Sequence, residues 1–273
     1  MSANNAHIKR LLATKQCQGG DLRDAQLTRL NLANADLSGA KLMFANLNGT
    51  NLNQANLSGA ELSFANLVAA DLARSDLSGI DAKGVNLLDA KLNEAELGGA
   101  DLVFATLVNS QLQNSNLSGA SLEGANLIGA NLHTAQMSGV NLAGANLGHT
   151  QLIGANLSNA DLSNARLVEA DLSDANLSGV NLRNANLLNA NLNGANLTGA
   201  DLSGANLAQA KLDGAIGLYQ ENPVSGMRTP PERHPSSAHT HPNMSSYVSV
   251  LHTNSSLHSG SNHLGLPRPG LPS

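Results

Sequence analysis

The sequence predicts an all-β solenoid, a chain wound into a four-sided coil, and three observations predict it. Of the 39 fifth positions from residue 22 to residue 212, 37 are Leu; the exceptions are Ala82 and Met137, and no insertion shifts the register. An uninterrupted period this short overrides the usual division of a 273-residue chain into globular domains. The residue two before each Leu is mostly Ala, with Ser, Thr and Val as the usual replacements, and the residue between them is mostly Asn or Asp. Apolar-polar-apolar is the pattern of a very short strand with alternating faces. The two residues that follow, often Ser-Gly or Asn-Gly, are turn chemistry. The third observation concerns the larger apolar residues just after the Leu. Met43, Val68, Leu88, Val103, Val108, Ile128, Ile153, Val168 and Leu188 scatter evenly over a 15-residue coil. A 20-residue coil instead puts Val68, Leu88, Val108, Ile128, Val168 and Leu188 on one face, and Phe44, Phe64 and Phe104 share a phase as well. Four units to a turn is the reading that orders them.

Residues 1–19 precede the array. Ile8, Leu11 and Leu12 fall at i, i+3 and i+4, the single apolar stripe of a short helix, with Asn4 or Asn5 as its N-cap. A repeat array exposes an apolar face at each end, so this helix is expected to cover the N-terminal one. Cys17 stands five before Leu22, in the Leu phase, and is expected to be a small buried hydrophobe. As the only cysteine it excludes an internal disulfide and suits a reducing compartment.

Residues 20–215 form the array. With no Trp, two Tyr and three Phe in the chain, Leu and Ala must supply the buried surface. All eight prolines lie at 223 or beyond, as a hydrogen-bonded array requires. At four units to a coil the array makes about ten coils, a rod about 47 Å long at a strand spacing of about 4.8 Å. The polar residue between the inward positions then stacks in columns. One runs through Asn46, Asn66, Asn86, Thr106, Asn126, Asn146, Arg166, Asn186 and Asn206, with amides expected to bond along the rod. At Ile80-Asp81-Ala82 a larger residue enters one inward site where the neighbouring Leu shrinks to Ala, which reads as volume compensation. Residues 216–273 change character. Ile216, Leu218 and Tyr219 are expected to close the last coil, and a disordered tail rich in Pro, Ser and His should follow.

The phrase Ala-(Asn/Asp)-Leu-x-x resembles the pentapeptide-repeat proteins over about 195 of the 273 residues. That resemblance implies a right-handed, four-sided β-helix with the Leu and the residue two before it pointing inward. The opening Leu11-Leu12-Ala13-Thr14-Lys15-Gln16-Cys17-Gln18-Gly19-Gly20-Asp21-Leu22 is similar to lead-ins of cyanobacterial members, which often carry a second Cys where Gly20 stands. Central Phe, common in the family, is absent.

Chemistry is sparse. No nucleophile stands beside a base, and Gly-x-x-x-x-Gly spacings follow from the period alone, so no phosphate loop is assigned. No enzyme activity, cofactor or small-molecule substrate is expected. Six of the nine histidines fall in the tail, at 234, 239, 241, 252, 258 and 263, with irregular spacing and no Cys or acidic partner of structural-zinc type, so no metal site is assigned. The N-terminus lacks the apolar run of a signal peptide and no stretch approaches the length of a membrane span, so a cytoplasmic protein without membrane or nucleic-acid partners is expected. The resemblance adds one alternative, since some pentapeptide-repeat proteins mimic duplex DNA and act on gyrase. A 47 Å mimic would need about 28 negative charges. Residues 21–215 hold 18 Asp plus Glu against 9 Lys plus Arg. The acidic residues Glu61, Asp76, Asp81, Glu96 and Asp101 form only a local patch. The more unusual feature is an outward apolar face, Phe64, Val68, Leu88, Phe104, Val108, Ile128, Val168 and Leu188, which marks a candidate surface for an unknown protein partner or for self-association.

Overall fold

Parallel pairing of residues twenty apart builds the molecule. The computed structural model describes residues 4–218. Its rungs run without a gap from Gln16↔Asp36 to Asn196↔Ile216, every one parallel and every one at the position between the two inward residues. Four rungs pass before the chain returns above its starting point, so each coil has four sides, as the 20-residue phase predicted.

One unit shows how the chain satisfies itself. The Asn46 amide donates back to Ala25 O at 2.9 Å, Leu47 donates forward to Asn66 O at 2.7 Å, and Gly49 to Val68 O at 2.9 Å. Thr50 closes the corner on Leu47 O at 3.0 Å. The remaining amide, Asn48, donates to the side-chain Oδ1 of Asn46 at 3.2 Å. All five donors of the unit are matched, which a backbone half withdrawn from water demands. The third corner residue has positive φ in every unit, for example Phe44 at 58° and Gly49 at 63°, the conformation of the third residue of a type II turn. Gly and Asn recur there because they tolerate it best.

The polar central residue therefore works locally. Asn and Asp cap the amide two residues on, as in Asn53 to Asn51 (3.0 Å), Ser78 to Asp76 (2.9 Å) and Ser163 to Asp161 (2.8 Å). Gln does not: Gln26 and Gln136 turn their amides to Asp24 O and Thr134 O instead. Beyond Gln111 the Gln113 amide takes Asn93 Oδ1 from the previous coil at 3.2 Å. This revises the expected amide columns. Among the described residues the Asn46 to Asn206 column is joined by side-chain bonds only at its ends, Asn46 to Gln26 and Asn206 to Asn186. Most Oδ1 atoms are engaged by their own corner. A fuller axial run, Gln136, Asn156, Asn176 and Asn196, lies on another side.

Leu and Ala fill the interior, most of them fully buried. Where Thr50, Ser75, Ser110, Ser115 or Thr150 replaces the inward Ala, its hydroxyl donates to a nearby Leu carbonyl at 2.6 to 2.7 Å, which removes the cost of burying it. Ile80 and Ala82 are both buried, yet a void of about 10 Å³ remains between them and Leu62, Leu67, Leu77 and Val85. The compensation is incomplete.

Helix α1, Asn5–Thr14, precedes the first rung. Asn4 Oδ1 caps it by accepting from Ala6 N at 2.9 Å, and Lys15 ends it with φ 57°. Leu11 is fully buried and Ile8 packs on the core, but Leu12 is 52% exposed, against expectation. Consecutive helical residues point about 100° apart, so a helix lying on one end of a coil cannot bury both leucines. Cys17 is completely buried, accepting from Arg10 Nη2 at 3.7 Å and donating to His7 O at 3.6 Å. Its sulfur occupies the space that a side chain at Gly20 would need. Tyr219, the tail and its six histidines lie outside the described residues.

Candidate interaction face

One side of the coil carries every residue of the proposed contact surface. Its middle is the polar column through Asn46, Asn66, Asn86 and Thr106, and its two corners flank that column. The leading corner holds Phe44, Phe64 and Phe104 at the positive-φ position, with 55%, 59% and 69% of their surface exposed. Each side chain there leans over the corner of the next coil. Phe44 stacks on Phe64 with centroids 5.5 Å apart and planes 8° from parallel. Phe64 in turn covers Gly84, where an added Cβ would sit 2.8 Å from the ring, and Phe104 covers Gly124 in the same way at 2.5 Å. Glycine is thus the seat for each ring that does not rest on another aromatic.

The trailing corner holds Val68, Leu88, Val108 and Ile128 in successive coils, all half-buried. Their carbonyls accept from the coil before, as in Ala69 to Leu88 O at 2.8 Å and Asp89 to Val108 O at 3.0 Å. Gly148 breaks the column, with Ile128 Cγ1 4.0 Å from where its Cβ would be, and Val168 and Leu188 resume it. The structure therefore groups Val68, Leu88, Val108 and Ile128, sets Val168 and Leu188 beyond a break, and puts Phe64 and Phe104 across the amide column. Nothing in the fold requires aliphatic residues at this corner, since Asn48 and Ala208 occupy the same phase. They are also the residue type that favours extended backbone.

The acidic residues lie elsewhere. Glu61, Asp81 and Asp101 are rung partners on one side, and Asp76 pairs with Glu96 on the adjoining one. Lys83 sits between two of them, 3.4 Å from Asp81 and 2.8 Å from Asp101. The buried Ser63 hydroxyl donates to Asp81 Oδ1 at 2.8 Å, and this bond, with Lys83 nearby, holds the Asp81 carboxyl below the ordinary range. At other corners side chains meet along the rod: Arg74 forms an ion pair with Glu94 (3.0 Å), and His149 Nδ1 lies 3.3 Å from Glu169 Oε2. Reasoning from sequence missed these axial pairs, although the 20-residue spacing of opposite charges was the signal that would have found them. Among the described residues no three His, Cys, Asp or Glu side chains are placed to hold a metal ion, and no helix is long and apolar enough to cross a membrane.

Comparison with known proteins agrees with this architecture. The model of pentapeptide repeats matches in eight copies between residues 21 and 214. HetL from the cyanobacterium Nostoc sp. strain PCC 7120, a pentapeptide repeat protein involved in heterocyst differentiation regulation, is 36% identical over 79% of this chain and 97% of its own, with a TM-score of 0.31. Rfr23 from the cyanobacterium Cyanothece 51142 is 41% identical over 35% of this chain and 58% of its own, with a TM-score of 0.22. QnrB1, a plasmid-mediated fluoroquinolone resistance protein, is 24% identical over 69% of this chain and 89% of its own, with a TM-score of 0.44. No curated protein matches. A five-residue period, four units to a coil and a family match covering nearly the whole ladder lead to one conclusion: this chain belongs to the pentapeptide-repeat family, whose fold is a right-handed four-sided β-helix.

Proposed function

We propose that the protein is a non-enzymatic cytoplasmic scaffold of about ten coils that acts through protein–protein contacts on the outside of the rod. The observation that carries this reading is the aliphatic corner Val68, Leu88, Val108 and Ile128, continued at Val168 and Leu188, on a rod whose opposite corner holds only small or polar residues, Ser-Gly in six of its ten coils. A regular run of outward aliphatic side chains offers a partner both apolar area and a fixed spacing of one coil, about 4.8 Å. Phe64 and Phe104 rim the same side and extend the contact. The partner is another protein or a second copy of this chain, without nucleic acid or membrane. Replacing Leu88→Glu together with Val108→Glu tests it. The circular dichroism should be unchanged, while self-association in the ultracentrifuge, or capture of the native partner, should be lost. Association that survives both charges would reduce the corner to a strand preference.

The acidic rungs Glu61, Asp81 and Asp101 favour one other reading, a DNA-mimicking modulator of a type II topoisomerase. Lys83 offsets part of that charge. A gyrase supercoiling assay separates the two readings: no effect at micromolar protein removes the second.

A further inference from the structure

The side that carries the aliphatic corner is apolar or amide along its middle and charged towards its two ends. With coils counted from residue 21, Arg166 in the eighth is the only charge in its rung column, which otherwise holds Asn, Gln and Thr. At the positive-φ position of the trailing corner, Arg29 stands in the first coil and Glu169 in the eighth. Asp24 holds the matching position of the leading corner in the first coil. Asp24, Arg29 and Arg166 are exposed, and among the described residues none of them makes an ion pair. Between the charged coils the leading corner runs Phe44, Phe64, Gly84, Phe104, Gly124 and Gly144. Unpaired arginine beside exposed aromatic and aliphatic residues is the composition of an interface.

We propose that this side binds a second copy of the chain, the two rods lying antiparallel about a two-fold axis between the fourth and fifth coils. This rests on the contact face proposed above and names its occupant. Such an axis sets the first coil of one copy against the eighth of the other, the second against the seventh, and each corner against its own kind. Val68 of one copy then faces Ile128 of the other, and Leu88 faces Val108, so the aliphatic corner covers itself. Phe44, Phe64 and Phe104 stand in coils opposite Gly144, Gly124 and Gly84, and no phenylalanine position opposes another. Towards the ends Arg29 faces Glu169, while Arg166 meets Gln26 and the neighbouring Asp24. No like charges are opposed. Parallel rods about a two-fold would instead set Arg166 against Arg166, a like-charge contact that costs affinity. The spacing also fits, because rows about 4.8 Å apart on one copy meet rows of the same spacing on the other. A strip eight coils long is only about 38 Å. A contact of that size suits a dimer in exchange with monomer.

Sedimentation velocity on the full chain, from about 1 to about 100 μM, tests this occupant. A monomer–dimer equilibrium is expected. Arg29→Glu and Glu169→Arg should each weaken it at least about tenfold, because each brings like charges together twice across the dyad. The double variant Arg29→Glu/Glu169→Arg restores opposite charges, and its dimerisation should return to within about threefold of the original. Circular dichroism should be the same for all of them, since both side chains are exposed. A double variant no tighter than the single ones overturns the antiparallel contact. So does a chain that stays monomeric at about 100 μM. If that monomer still captures a native partner and loses it on Leu88→Glu with Val108→Glu, only the second copy is overturned and the contact face stands. A dimer that ignores Leu88→Glu with Val108→Glu overturns both.

Discussion

An Asn or Asp at the centre of a unit is held there by reach. Its Oδ1 lies one methylene closer to the chain than the Oε1 of Gln, and only the shorter side chain meets the amide two residues on, as Asn51 meets Asn53 at 3.0 Å. Asn51→Ala is expected to lose about 0.5–1.5 kcal/mol, the ordinary worth of one such bond. Asn51→Gln should lose as much, and Asn51→Asp little, all measurable by denaturant unfolding. The pair Asp21 and Arg23 makes a prediction about pH. The side-chain bond from Arg23, 2.7 Å to Oδ2, brings the Asp21 pKa down from 3.8 to about 2. Because the folded value lies below the unfolded one, the pair's contribution is present above pH about 4 and is lost as pH falls towards about 2. Carboxyl NMR titration should find the low midpoint and should find it raised in Arg23→Ala. About a third of each side chain is open to water, 32% for Arg23 and 30% for Asp21, and solvent screening keeps the effect on stability small. At the irregular unit, Ala82→Leu must place three more carbons where only about 10 Å³ is free. It should destabilise by about 1–3 kcal/mol. Ile80→Ala added to it restores the common pattern and should recover most of the loss, a coupling that a double-mutant cycle reads directly. The inward residues are legible in the sequence, because a Leu every fifth position admits few alternatives. The role of Asn is only half legible, since composition does not say whether an amide bonds along the rod or back to its own corner.

The corner is the element that repeats, and its third residue always sits at positive φ, whatever its type. Ala69, at 54°, illustrates the cost. Ala69→Gly is expected to stabilise the protein by up to about 1 kcal/mol, because the left-handed conformation strains a Cβ. Gly59→Val, at 64°, should destabilise it by at least as much. Thermal unfolding of the two variants should move in opposite directions. Gly84 and Gly124 have a second duty as seats for Phe64 and Phe104, so Gly124→Ala should shift the Phe104 ring without altering the ladder. Sequence pattern reveals the apolar column and the shared phase of the phenylalanines. The 20-residue count also sets the amide column between them; it does not reveal that Phe64 and Phe104 seat on Gly84 and Gly124 of the next coil. Leu12 fails for a similar reason: a helical stripe does not say how broad its docking surface will be.

At the scale of the whole molecule, every coil is twenty residues and every rung joins i to i+20. Sequence number is therefore an angular coordinate as well as a position along the axis. Excising one unit, residues 129–133, should leave a folded rod whose far half is turned a quarter revolution against the near half. Val168 and Leu188 would then face a different direction from Val108 and Ile128. Excising a full coil, residues 129–148, keeps every bearing, removes Gly148 and brings Val168 directly beyond Ile128. Both variants should show the same circular dichroism and near-equal compactness. If the aliphatic corner is a contact edge, the longer deletion should bind at least as well as the intact chain, and the shorter one worse. Evolution of such a chain is then constrained less by how much is inserted or lost than by the remainder on division by twenty.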